Sequence, residues 1–133
     1  MDATQRREVW ERAGHRCEYC RLRQIDEPGQ RFHVEHVIAR QHAGTDNADN
    51  LALACQLCNC LKGPNLSGID PDTGTLTRLF HPRNDVWREH FHRDEAKLKG
   101  MTAVGRTTVW LLEMNCDERI ALRTVLLELG DLD

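Results

Sequence analysis

The chain has 133 residues, 29% of them charged and only 5% aromatic, with a mean hydropathy of -0.60 and a formal net charge of -3. That length suits one domain, or one compact motif with an extension, and the composition implies a thin core that a bound metal would supplement. The longest apolar runs, LALAC and VLL, fall far short of the roughly 20 residues that span a bilayer, and the slight acidic excess argues against a surface that clamps nucleic acid nonspecifically.

The charged opening MDATQRREVWERAG lacks the apolar stretch of a secretion signal, so a cytoplasmic setting with reduced thiols is expected. Residues 4–13 read as a helix offering Val9, Trp10 and Ala13 for packing, with Gly14 as its stop. The knuckle Cys17-Glu18-Tyr19-Cys20 follows, then RFHVEHVI, whose alternation of apolar and polar residues is that of a strand. The polar loop RQHAGTDNADN leads to the apolar segment LALAC and a second knuckle, Cys55-Gln56-Leu57-Cys58. After it, NCLKG can form a turn or two of helix before Gly63-Pro64. DPDTGTL is a turn that opens an extension in which LTRLF and VWREHFHR fit strand or loop. Residues 103–114 and 116–129 read as helices. In the second, Leu122, Val125, Leu126 and Leu129 share one face read as core, Asn115 and Glu118 are spaced as a cap and its partner, and Gly130 closes the helix.

The two CxxC pairs stand 34 residues apart. In a reducing compartment four such thiolates are read as the ligands of one closed, tetrahedral, structural zinc site formed by Cys17, Cys20, Cys55 and Cys58. Cys60 and Cys116 fall outside the pattern and read as ordinary buried or partly exposed thiols.

Between the knuckles lies Glu35-His36, with Asn50 fourteen residues on and Asn59 directly after the second CxxC. The run CEYC, then VEHVIARQHAGTDNADNLALACQLCNCLKG, resembles the HNH endonuclease family over residues 17–63; LFHPRNDVWREHF and GMTAVGRTTVWLLEMN also resemble sequences that trail the motif in small bacterial members. The resemblance implies an α+β fold: a small ββα-metal core braced by the four-cysteine zinc, with an N-terminal helix and a mostly helical C-terminal extension. Residues 1–66 would hold the helix and nuclease core, and 67–133 an extension packed on it, one domain overall. The implied activity is metal-dependent hydrolysis of DNA phosphodiester bonds, by nicking or double-strand cutting. Neutral histidine suits the removal of a proton from water, and hard oxygen ligands suit Mg²⁺ or Mn²⁺. Matched residue by residue, His36 is the general base, Glu35 and Asn59 the ligands of the catalytic ion, and Asn50 the residue that orients His36 by hydrogen bonding.

Neighbouring side chains on a regular strand face opposite ways, so for Glu35 and His36 to serve one phosphate the strand must end or distort there. The same alternation puts His33 on the Glu35 face, as a further ligand, an outer partner or a phosphate contact. Arg40, His42 and Lys62 bracket the motif as candidate phosphate contacts, each with a solvated loop residue as the plain alternative. His81, His90 and His92 with Arg83 and Arg88 form a second basic group that fits either nucleic-acid contact or ordinary packing. The acidic net charge points to a modest local basic patch or to a partner protein for targeting, and a homodimer stays open. A noncatalytic zinc ribbon that binds nucleic acid or protein is the alternative reading. Such a ribbon has no use for Glu35, His36, Asn50 and Asn59 in this register.

Overall fold

A computed structural model describes residues 1–132. It is of the α+β class: five α-helices, three short 3-10 turns and three separate two-stranded antiparallel sheets among the described residues. The chain falls into two compact units, Met1–Leu66 with His81–Asp85, and Ser67–Phe80 with the chain from Val86 on. None of the helices is long and apolar enough to cross a membrane.

The first unit is built around one hairpin. Helix α1 (Ala3–Arg12) starts with a capping box, in which Asp2 accepts from the Gln5 amide at 2.8 Å and Gln5 accepts from the Asp2 amide at 3.2 Å. Gly14, at φ +63°, lets the chain turn away after it. Strand β1 (His33–His36) pairs with β2 (Leu51–Ala54), His33 opposite Ala54 and His36 opposite Leu51. All four residues of β2 are buried, because α1 packs on this hairpin and the first knuckle is stitched to it. This explains why LALA is uniformly apolar instead of alternating. The Glu18 amide donates to the Leu53 carbonyl at 2.9 Å, the Leu53 amide donates to the Glu18 carboxylate at 2.8 Å, and the buried Glu18 also pairs with Arg83. Arg83, set among candidate nucleic-acid contacts by the sequence, is thus engaged inside the fold. Helix α2 (Gln56–Lys62) follows β2 and lies against β1.

The second unit holds two hairpins besides its helices. Strands β3 (Ser67–Ile69) and β4 (Leu76–Arg78) pair around the DPDTG turn. Helix α3 (Trp87–His90) runs into β5 (Phe91–Asp94), which pairs with β6 (Lys97–Gly100). Of these, β3 and β6 escape sequence reading, since Ser-Gly-Ile and Lys-Leu-Lys-Gly are poor in strand formers. Helix α4 (Ala103–Leu111) packs on β6, β3 and β4, and Gly105 is required there because a Cβ would meet the His90 carbonyl oxygen at 2.0 Å.

Helix α5 (Asp117–Glu128) departs from expectation in two ways. Its N-cap is Cys116, while the Asn115 side chain reaches β6 instead, donating to the Leu98 carbonyl at 2.7 Å and accepting from the Leu98 amide at 2.8 Å. Its buried face is Arg119, Arg123 and Leu126, whereas Val125 and Leu129 of the expected core stripe are 51% and 67% exposed. Arg123 is buried because its guanidinium donates to the Ala96 carbonyl at 2.6 Å and to the Met114 carbonyl.

Asp70 at the β3–β4 turn has no exposed surface and receives Arg106 at 3.1 and 2.8 Å. That pairing, before its other bonds, holds the carboxyl down to about 2 from an ordinary 3.8. A depressed carboxyl stabilises the fold above its unfolded pKa and stops doing so as the pH falls through the folded value. The thermal stability advantage of the wild type over Asp70→Asn is therefore expected to be full at pH 5 and to shrink from pH 4 towards 2, as read by melting curves. An advantage that does not vary with pH contradicts the ion pair.

Candidate active site

Two polar groups meet around β1. The first is the cysteine cluster. Cys17, Cys20, Cys55 and Cys58 are buried, their Sγ atoms lie within 4.8 Å of one another, and Cys20 and Cys55 approach to 3.8 Å. Each knuckle turns its own amide on its first sulfur: the Cys20 amide donates to Cys17 Sγ at 3.5 Å and the Cys58 amide to Cys55 Sγ at 3.4 Å. Burial pushes the Cys17 thiol well above its ordinary range, and hydrogen bonding to Cys17 does the same for Cys58. Four sulfurs so placed cannot all ionise unaided. A soft divalent cation reverses that balance, and the donor set is that of a closed zinc site.

The second group surrounds the Glu35-His36 pair. The strand keeps its register through His36, where it ends, so the two side chains leave on opposite sides. Glu35 is 7% exposed and accepts a hydrogen bond from the buried Tyr19 hydroxyl through Oε1. Burial raises its carboxyl to about 7, against the opposing pull of Lys62 and the Tyr19 bond. His36 turns the other way, its Nε2 2.7 Å from Asp46 Oδ1 in the following loop. Asp46 also receives Arg40 at 3.0 and 3.1 Å and the Met1 amine at 3.1 Å. These bonds, led by that of His36, hold its carboxyl well below the ordinary carboxylate range.

The loop that carries Asp46 is fixed by Asn50. Its Oδ1 accepts from the Ile38 amide at 2.8 Å, and its Nδ2 donates to the carbonyls of Ile38 at 3.0 Å and Thr45 at 2.8 Å. Gly44 is needed at the same closure, since a Cβ would lie 1.6 Å from the Ile38 carbonyl oxygen. Asn50 therefore braces the loop, and the side chain that hydrogen-bonds His36 is Asp46. Sequence reading missed Asp46 because it is one of several polar residues in TDNADN, with only the fold to single it out.

Helix α2 supplies the other side. His33 is exposed and bonded to Gln56 at the start of the helix. Lys62, at its end, is 1% exposed and donates to the Val37 carbonyl at 2.8 Å, so this candidate phosphate contact is an internal strut. Asn59 lies between these anchors, about one turn from each, as Glu35 lies between His33 and Val37 on the strand. The Asn59 side chain is half-buried and hydrogen-bonds to no described residue. Glu35 Oε2 likewise accepts no bond from a described residue and keeps some solvent contact. Among the described residues the one cluster of His, Cys, Asp or Glu side chains placed to hold a metal ion is that of the four cysteines. Arg40 and His42 are both exposed in the loop beside His36.

Residues 17–65 match the family model described as HNH endonuclease. Among curated proteins, the Septu protein PtuB of Bacillus thuringiensis is 29% identical over 119 residues, which is 88% of this chain and 43% of the relative. The chain thus spans less than half the length of that relative. No solved structure matches. The stretch similar to HNH endonucleases, residues 17–65, carries both the cysteine cluster and the Glu35-His36 strand.

Proposed function

We propose that the protein is a metal-dependent endonuclease that hydrolyses phosphodiester bonds of DNA, with zinc in the four-cysteine cluster as a structural brace. The observation that carries this reading is the pairing of His36 with Asp46 at the end of β1, next to the buried Glu35 and inside the segment that matches the HNH endonuclease model. An ionised carboxylate only accepts hydrogen bonds, so Asp46 holds the proton of His36 on Nε2 and leaves the Nδ1 lone pair free. Nδ1 takes a proton from a water molecule as its oxygen bonds to phosphorus, the bond to the 3′ oxygen breaks with its electron pair on that oxygen, and a proton from solvent completes the 3′-hydroxyl opposite a 5′-phosphate end. Glu35 and Asn59 would hold a divalent ion, whose charge would offset that on the phosphate and the departing oxygen. Arg40 and His42 receive the neighbouring phosphate, and His33 stands as an outer contact on the ion's side. Asn50 keeps the His36–Asp46 geometry by bracing the loop.

The test is conversion of supercoiled plasmid with Mg²⁺ or Mn²⁺, with and without EDTA. Nicked or linear product only in the presence of the ion is expected. An intact plasmid under both metals, with zinc bound, would leave a noncatalytic zinc module. Asp46 is a positioning residue: Asp46→Asn should lower kcat about tenfold or more at unchanged KM, and Asp46→Glu should retain more activity. A rise in KM alone would assign Asp46 to substrate binding.

A further inference from the structure

On the first unit a cavity of about 470 Å³ is lined by Arg7, Trp10, Glu11, His15, Gln24 and Arg31, none of them part of the Glu35-His36 group. Two features distinguish it from ordinary charged surface. First, its arginines have no carboxylate partner. Arg12, Arg16, Arg23, Arg40 and Arg83 are each engaged with carbonyls or carboxylates, but neither Arg7 nor Arg31 forms an ion pair with a described residue, not even Arg7 with Glu11 one turn along α1. Second, the walls are fixed. Trp10 stacks on Phe32 at 6.3 Å, His15 meets its edge at 5.3 Å, and Arg31 lies over its ring at 5.7 Å. The Gln24 side chain holds the segment that presents Arg31, donating to the carbonyls of Glu27 at 3.1 Å and Gln30 at 2.8 Å and accepting from the Phe32 amide at 2.8 Å.

A concavity whose two guanidiniums have no carboxylate partner, one of them lying over the Trp10 ring, has the chemistry that takes a phosphate together with a flat ring. We propose that this groove binds an unpaired nucleotide of a DNA strand, its phosphate held by Arg7 and Arg31 and its base laid against Trp10 and His15. The choice of DNA rests on the nuclease reading; the groove itself does not. Arg31 precedes His36 by five residues, at most roughly 17 Å at strand rise, within the reach of a few nucleotides of one strand. The groove would thus grip a strand flanking the phosphate presented to His36, and it offers a local basic contact in a chain whose net charge is -3.

The experiment measures binding of a labelled dT12 strand to the zinc-loaded chain by anisotropy without Mg²⁺ or Mn²⁺, over a series of salt concentrations. The comparison set is wild type, Arg7→Gln/Arg31→Gln, and an rU12 competitor. The double variant should bind at least tenfold more weakly, with the slope of log affinity against log salt shallower by about 0.7 for each phosphate that is no longer neutralised, while zinc content and melting stay at wild-type values. Unchanged affinity and slope in the folded variant, or no binding by wild type, overturns the groove. Tighter binding of rU12 than of dT12 overturns its assignment to DNA. Plasmid cleavage by wild type alongside unchanged binding in the variant defeats only the groove, whereas groove-dependent binding without cleavage under either metal defeats only the nuclease reading.

Discussion

Cys58→Ser is expected to abolish cooperative folding of the first unit at ordinary temperatures. Cys58 is 1% exposed and sits where α2 begins, its Sγ within 4.8 Å of three further buried sulfurs. Those sulfurs come from both ends of the HNH segment, so a bound ion ties the first knuckle to β2 and α2 directly. The apolar core available for the same task is small: Val9, Leu22, Phe32, Val37 and the four residues of β2. Structural zinc contributes on the order of 10 kcal/mol in zinc-finger peptides, comparable with the whole stability of a typical domain at about 5–15 kcal/mol. Loss of one ligand should therefore remove most of the metal affinity and leave three buried thiols without a cation. Wild type should carry one zinc per chain by elemental analysis and melt cooperatively. Cys58→Ser, or wild type stripped by a strong chelator, should lose both properties, and a variant that melts normally without zinc would contradict the structural role. Cys60→Ser, outside the cluster and exposed, should retain both.

Much of this was visible in the sequence because the features concerned are local. CxxC fixes two sulfurs within one turn, the alternation of RFHVEHVI marks a strand, and Gly14, Gly63 and Gly130 stand at helix ends at positive φ. Features that depend on long-range contacts were hidden. Lys62 looks like a phosphate contact until Val37 is seen to take its ammonium. Asp46 is one acid in a polar loop until the hairpin brings it to His36. In α5 hydrophobicity marked the buried face only in part: Leu126 is buried as expected, but it shares that face with Arg119 and with Arg123, whose guanidinium satisfies two carbonyls, while Val125 and Leu129 stay in solvent. The pairing of β3 with β4 and β5 with β6 is likewise a property of partners rather than of the segments. The adjacency of Glu35 and His36 was legible as a geometric demand on the backbone. β1 keeps its regular alternation up to its end at His36, with the acid bonded to Tyr19 and the histidine to Asp46 on opposite sides, so the distortion asked of the strand does not occur within it.

The second large effect is on catalysis. His36→Ala removes the nitrogen assigned to accept the proton of water while leaving Glu35, Asn59 and the cysteine cluster in place. General-base catalysis contributes roughly 10²- to 10⁴-fold, so the rate of strand cleavage should fall within that range with zinc content and melting unchanged. His36 is half-buried at the edge of the hairpin, and its loss leaves Asp46 still paired with Arg40. A structural collapse is therefore not the expected cause. The most direct test is the single-turnover rate at which zinc-loaded wild type and His36→Ala nick supercoiled plasmid in Mg²⁺ or Mn²⁺. The account predicts ion-dependent nicking by wild type and a loss of at least a hundredfold in the variant. Equal rates in the two proteins would contradict it.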